Sequence, residues 1–135
     1  MTPAQQELAL LAEKTMEKLK LLAPPIVRVD GPLTTGPLSY EENVRRFHRA
    51  EKVLIQRGLS VFTFDLGEAG IKDKGYTSDD IMEFFHKPIL QSGLIQYAYF
   101  LPHWQESKGA TWERNYIEQY TSIEIKEFPE NLLLP

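Results

Sequence analysis

Glu113 stands in the stretch SKGATWERNY, Ser107 to Tyr116, among aromatic residues just inside a predicted helix. A carboxylate in that place is either a solvated charge in the first turn or a group aimed into a pocket. Its neighbours at i+3, i+4 and i+7 are Tyr116, Ile117 and Tyr120, so it shares the face expected to press on a sheet. Burying an unpaired carboxylate costs several kcal/mol, on the order of a small domain's whole stability margin. One compensation is the helix N-terminus, whose free N–H groups and dipole favour negative charge. The other is a pocket into which the carboxylate is aimed. Periodicity leaves both open.

The elements that must position Glu113 can be read along the chain. Thr2 as N-cap, Pro3 at the first helical position and Gln5 as partner open an amphipathic helix carrying Leu8, Leu11, Ala12, Met16 and Leu19, which ends at Pro24-Pro25. IVRVD (26–30) reads as a buried strand, followed by the irregular loop GPLTTGPL. Ser39 with Glu42 forms a second capping-box pattern, after which Val44, Phe47, Ala50 and Leu54 line one face and Gly58 stops the helix. SVFTFD (60–65) is the second strand. A Gly- and charge-rich loop (66–78) leads to a helix opened by Asp79 and Asp80, carrying Ile81, Phe84 and Phe85, and kinked or divided by Pro88. LIQYAYFLP (94–102) is a central strand, residues 110–120 are helical, and SIEIKEF (122–128) alternates as an edge strand does.

This order, an extra helix and then β-α-β-α-β-α-β, predicts a three-layer α/β fold. Its core is a Rossmann-like or flavodoxin-like parallel sheet of four or five strands. Residues 1–25 form the added amphipathic helix, which packs on the domain or on another subunit, and 26–135 form the α/β domain. Ligands of such sheets bind at the carboxyl ends of the strands. Here that means loops 30–38, 65–78 and 102–109, the last of which leads to Glu113.

Composition narrows the function classes. At 135 residues with 42% hydrophobic and 25% charged side chains, one domain with a sizeable core is expected. There is no cysteine, and His48, His86 and His103 show no ligand spacing, so no metal site is expected. His48 and His86 are expected on exposed helix faces. The net charge of −4 without a dense basic block weighs against binding a nucleic acid polymer, though not against one small anion. No apolar run approaches a membrane span and the N-terminus lacks signal-peptide character, so a soluble, cytoplasmic protein without membrane association is expected. GPLTTG lacks the Lys-Ser/Thr ending of a Walker loop.

VDGPLTTG after the first strand, the residues Asn43, Phe47, Ala50, Leu54 and Gly58, and the segment LPHWQESKGATWE together resemble the nucleoside 2-deoxyribosyltransferase-like superfamily. The closest likeness is to its branch of small bacterial and phage proteins, and it runs from about Ile26 to Phe128. The resemblance implies that Glu113 attacks the anomeric carbon of a nucleoside or nucleotide, forming a glycosyl-enzyme resolved by water or a second base. It implies a phosphate contact for Ser107, six residues before the glutamate, and close backbone approach at Gly109. Gly31, Pro32 and Thr34 would line the substrate, and Trp104 would stack on the base. No cofactor is implied.

Departures accompany the likeness. The aspartates usual in relatives fall on Pro88 and Gln96, the glycine of their LPGW segment is His103, and a phosphate-binding arginine is replaced by Thr34. Proton transfer to the leaving base then passes to Asp30 or His103. Asp30 ends the first strand at the same sheet edge as Glu113, although a turn aspartate capping its own loop is an equal reading. Asp79 and Asp80 read as helix-terminal charges, and Trp104 and Trp112 as base-stacking or packing residues. The expected function is N-glycosidic cleavage or transfer on a small nucleoside or nucleotide by a homodimer or higher homo-oligomer. The alternatives are a catalytically impaired nucleotide-binding or oligomeric interaction module of the same fold, and a structural protein.

Overall fold

The computed structural model of the chain describes residues 1–62 and 75–134. Helix α1 (Pro3–Leu19) starts at the predicted capping box. The Thr2 hydroxyl accepts from the Gln5 N–H at 3.1 Å, and the Gln5 side chain accepts from the Thr2 N–H at 3.0 Å. Strand β1 (Ile26–Asp30) follows a cis Pro24–Pro25 bond, and helix α2 (Tyr40–Gln56) leads to β2 (Ser60–Phe62). Positions 63–65 of the predicted second strand, and the following loop as far as 74, lie outside the described residues. The chain then enters α3 (Ser78–Asp80), passes through a π-helical turn (Ile81–His86) and continues as α4 (Lys87–Gln91). Strand β3 (Tyr97–Phe100), a 3-10 turn (Trp104–Glu106), α5 (Lys108–Tyr120), β4 (Glu124–Glu127) and a last 3-10 turn (Glu130–Leu133) complete it.

The four strands are all parallel in the order β2-β1-β3-β4, with helices on both faces. This is the predicted three-layer, flavodoxin-like arrangement, and the order reverses between β1 and β3, where such sheets open a crevice. β1 is buried along its whole length because it lies inside the sheet and is covered on both sides. Val27 and Val29 pack with Ala50, Val53 and Leu54 of α2, whereas Ile26 packs with residues of α1, α4 and α5. Alternation therefore assigns Arg28 and Asp30 to the α5 side.

α1 joins that same core through Leu8, Ala12 and Leu19, so its apolar stripe is satisfied within the chain. Leu8 is buried there, and truncating a buried leucine leaves a cavity costing about 2–5 kcal/mol. Leu8→Ala should lower the urea midpoint accordingly in a single transition. A separate early transition for α1 would show that the helix is not part of the cooperative unit.

Two predictions on α2 are corrected. Ser39 accepts from the Glu42 N–H at 3.1 Å, but the Glu42 carboxylate turns to Arg45 rather than back to Ser39, so the second capping box is half formed. The buried stripe contains Asn43, Arg46, Ala50, Val53 and Leu54, while Val44 and Phe47 are half-buried. Polar residues occupy the stripe because each has a specific partner. Asn43 donates to the carbonyls of Leu33 and Thr35, fastening the loop after β1, and Arg46 forms a two-pronged pair with Glu130.

Pro88 does not end its helix. It has no N–H, and its ring would collide with the carbonyl four residues back in a regular α-helix. The preceding turn widens instead, with the Lys87 N–H bonded to Met82 O, five residues back. The wider turn changes which side chains face the core, and Met82, Phe85 and His86 are the buried ones. Among the described residues no helix is long and apolar enough to cross a membrane.

Candidate active site

The helix α5 owes its start to Ser107, whose hydroxyl accepts from the Ala110 N–H at 3.1 Å. Since the helix begins at Lys108, Glu113 is in its second turn, past the free N–H groups of the first. The helix-terminus account of its charge is thereby corrected. The compensation comes from the strand opposite: Arg28 Nη2 donates to Glu113 Oε2 at 3.1 Å.

The same guanidinium holds Asp30. Arg28 Nε donates to Asp30 Oδ2 and Nη2 to Asp30 Oδ1, both at 3.1 Å, a two-pronged pair between residues two apart on one strand face. Asp30 is thus turned to Arg28 and Glu113, not to capping its own loop. Because Nη2 serves both carboxyl groups at 3.1 Å, the two bonded oxygens are no further apart than twice that distance.

His86 completes the cluster, with Nδ1 3.4 Å from Glu113 Oε1. Exposures of 1% for Arg28, 5% for Asp30 and 6% for both Glu113 and His86 correct the expectation of an exposed His86. The Phe62 ring lies 5.8 Å from the Arg28 guanidinium and the Phe85 ring meets His86 edge-on, so aromatic rings border the cluster.

Electrostatics follow from that enclosure. Burial pushes Glu113 well above the usual carboxylate range; Arg28 pulls the other way, and Asp30 adds a like charge that favours the protonated form. Burial, followed by the nearby Arg28 charge, holds His86 well below the usual imidazole range. Both shifts favour the uncharged forms of Glu113 and His86 beside the Arg28 cation.

The other predicted residues lie around the carboxyl edge of the sheet. Gly31 abuts β3: a Cβ there would come within 2.9 Å of the Leu101 Cβ, so its requirement is space. Pro32 is buried and Thr34 exposed in the loop held by Asn43. Gly109 is exposed in the first turn of α5, where a Cβ would meet only the Ser107 hydroxyl at 4.0 Å. His103 has a left-handed backbone with φ 70°, a conformation that favours glycine, and its ring faces Glu106 at 3.6 Å. Trp104 has the Arg114 guanidinium over its ring at 4.3 Å and the Phe100 ring edge-on. Its packing role is thus explicit. Trp112 instead stacks on Tyr116 and borders an open cleft of about 380 Å³, with Asp79, Asp80, Met82, Glu83 and Phe84.

Of the two positions where the resemblance places an aspartate, that of Gln96 lies at the other end of the sheet. Gln96 accepts from the Ile26 N–H at 2.6 Å, at the amino end of β1, away from the carboxyl edge that ends at Asp30. Among the described residues no group of three or more His, Asp or Glu side chains could hold a metal ion.

Residues 27–126 match the model of the family described as Domain of unknown function (DUF4406). The chain belongs to the DUF4406 family. No match to it was found among curated proteins or among solved structures. The DUF4406 span contains the whole cluster of Arg28, Asp30, His86 and Glu113, and leaves α1 outside.

Arg28 and His86 are the two members of the cluster that residue patterning missed. An arginine inside a buried, doubly covered strand was the available signal for Arg28. For His86 the only signal was Pro88 two residues later, which rearranges the turn.

Proposed function

We propose that the protein cleaves, or transfers across, the N-glycosidic bond of a nucleoside or nucleotide, with Glu113 as nucleophile and Asp30 beside it as the partner acid. The observation that carries this reading is the shared Arg28 nitrogen. It holds the two bonded carboxyl oxygens no further apart than twice 3.1 Å, below the roughly 6.5–9.5 Å of inverting glycosidase pairs. In a retaining sequence the Glu113 carboxylate attacks the anomeric carbon as the base departs, and water or another base then displaces the ester. Arg28 holds the bonded oxygen of Glu113, leaving Oε1 for attack. Ser107, Gly109 and Thr34 at the same sheet edge suit a phosphate or sugar hydroxyl, since a helix N-terminus favours anions. His103, left-handed and half-exposed in the loop after β3, is a candidate for protonating the base. With this reading go a small-molecule ligand, a cytoplasmic setting and a homo-oligomer.

The test is release of free base from a panel of nucleosides and nucleoside monophosphates. Release is expected with the purified protein; none from any panel member would sink the proposal.

One observation favours a second reading. Both carboxyls are already satisfied by Arg28, which suits a domain that binds nucleotide without turning it over. Such a binder would melt at higher temperature with nucleotide while returning it chemically intact.

A further inference from the structure

We propose that Glu106 is the positioning residue for His103, holding the imidazole so that Nε2 presents the proton delivered to the departing base. This rests on the glycosidic reading above. The motivating geometry is a meeting of the two loops that leave β1 and β3, on either side of the point where the strand order reverses.

His103 stands two residues beyond Leu101, whose N–H bonds to Asp30 O at 2.8 Å, so its turn begins beside the end of β1. Its backbone lies in the left-handed region at φ 70°, where a side chain is carried at a cost, and such strain collects at functional sites. The Glu106 N–H bonds back to His103 O at 3.1 Å, closing the turn, and Glu106 Oε2 faces His103 Nδ1 at 3.6 Å. From the other loop Gly36 approaches the same oxygen: a Cβ there would come within 3.3 Å of Oε2, and its φ of 90° also calls for glycine. The carboxylate is therefore bracketed by an imidazole on one side and a close-fitting backbone on the other. Between them Trp104 lies under the Arg114 guanidinium at 4.3 Å, which anchors the turn to α5, the helix of Glu113.

An exposed ion pair stabilises a fold very little, and these side chains are 45% and 51% exposed. The role here is orientation. A carboxylate at Nδ1 engages that nitrogen's N–H and fixes the ring plane, so the proton available for transfer is the one on Nε2, the far nitrogen. The gap of 3.6 Å closes to a hydrogen bond with a small rotation of the ring, as catalytic contacts tighten when substrate binds. Glu130, a second carboxylate near His103, already holds Arg46 with both of its oxygens.

The step balances. The bond from the anomeric carbon to the base nitrogen breaks with its electron pair going to the base, while Glu113 forms the ester bond to the same carbon. The Nε2–H bond of His103 breaks and its proton goes to the base, leaving a neutral imidazole whose Nδ1–H is directed at Glu106. When water displaces the ester, its proton passes to Nε2 and the imidazolium is restored.

The test compares two leaving groups on one sugar. A nucleoside base needs a proton to depart, whereas the 4-nitrophenyl glycoside releases a stable anion without one. Glu106→Gln keeps the shape and loses the charge; it should lower base release about tenfold, and His103→Gln about a hundredfold, the lower range for loss of a general acid. Nitrophenolate release should fall far less in both, which also shows that the variants are folded. A loss of the same size with both substrates would mark a merely structural role and overturn the proposal, as would undiminished base release in Glu106→Gln. Release of only one of the two leaving groups by the unsubstituted protein would overturn it as well, since the site must cleave the better leaving group unaided and the base with its acid. Release of neither would instead remove the glycosidic reading itself, and this role with it.

Discussion

Arg28→Met is expected to destabilise the protein by about 3–5 kcal/mol, the usual cost of removing one partner from a buried ionic group. The methionine fills much of the same volume, so the loss is electrostatic in origin. Without the guanidinium, Asp30 loses both of its bonds to Arg28, and Glu113 loses its own. Urea unfolding at neutral pH is the measurement. The loss should shrink in acid, where both carboxyls are neutral and no charge is stranded. Arg28→Lys should fall between, because one ammonium cannot reproduce the fork that engages both carboxyls. A loss below about 1 kcal/mol for Arg28→Met, the range of exposed ion pairs, would show that the cluster is not held by its arginine.

Glu113→Gln should abolish base release, by at least about a thousandfold if the side chain is the nucleophile. It should do so without loss of stability. The amide has the shape of the protonated acid and can still accept from Arg28. The two proteins should differ in how stability depends on pH. Burial raises Glu113 above its unfolded value, so the native state binds more protons than the unfolded state between the ordinary carboxylate range and the raised one. Stability therefore falls as pH rises through that window, by at most about 1.4 kcal/mol per pH unit, and glutamine removes the effect. Glu113→Gln should thus gain on the parent protein as the medium becomes alkaline. His86 acts in the opposite sense: being depressed, it lowers stability as pH falls below its ordinary value of about 6.5, in both proteins. Retained base release in Glu113→Gln would exclude the nucleophile, and a constant stability difference across pH would exclude the buried protonated carboxyl.

Several features were legible in residue order because they are local. The Thr2–Gln5 capping box, the stop at Gly58 and the short buried strand β1 rest on signals a few residues long. Alternating strands and helices carry the parallel sheet, since short connections and handedness leave few alternatives. The apolar face shared by Glu113 with Tyr116 and Ile117 was likewise visible, and all three are buried.

What residue order could not specify was the partner of each buried charge. Arg28 and Glu113 are 85 positions apart, and their pairing depends on α5 crossing back over β1, a long-range consequence of strand order. Helix periodicity put His86 on the wrong side because it assumes a constant turn, and Pro88 widens that turn. The sequence by itself determined the layers, their order and a carboxylate turned towards the sheet. Only the tertiary structure decided that this carboxylate meets Arg28, Asp30 and His86, because desolvation and pairing act through space between segments that share no local pattern.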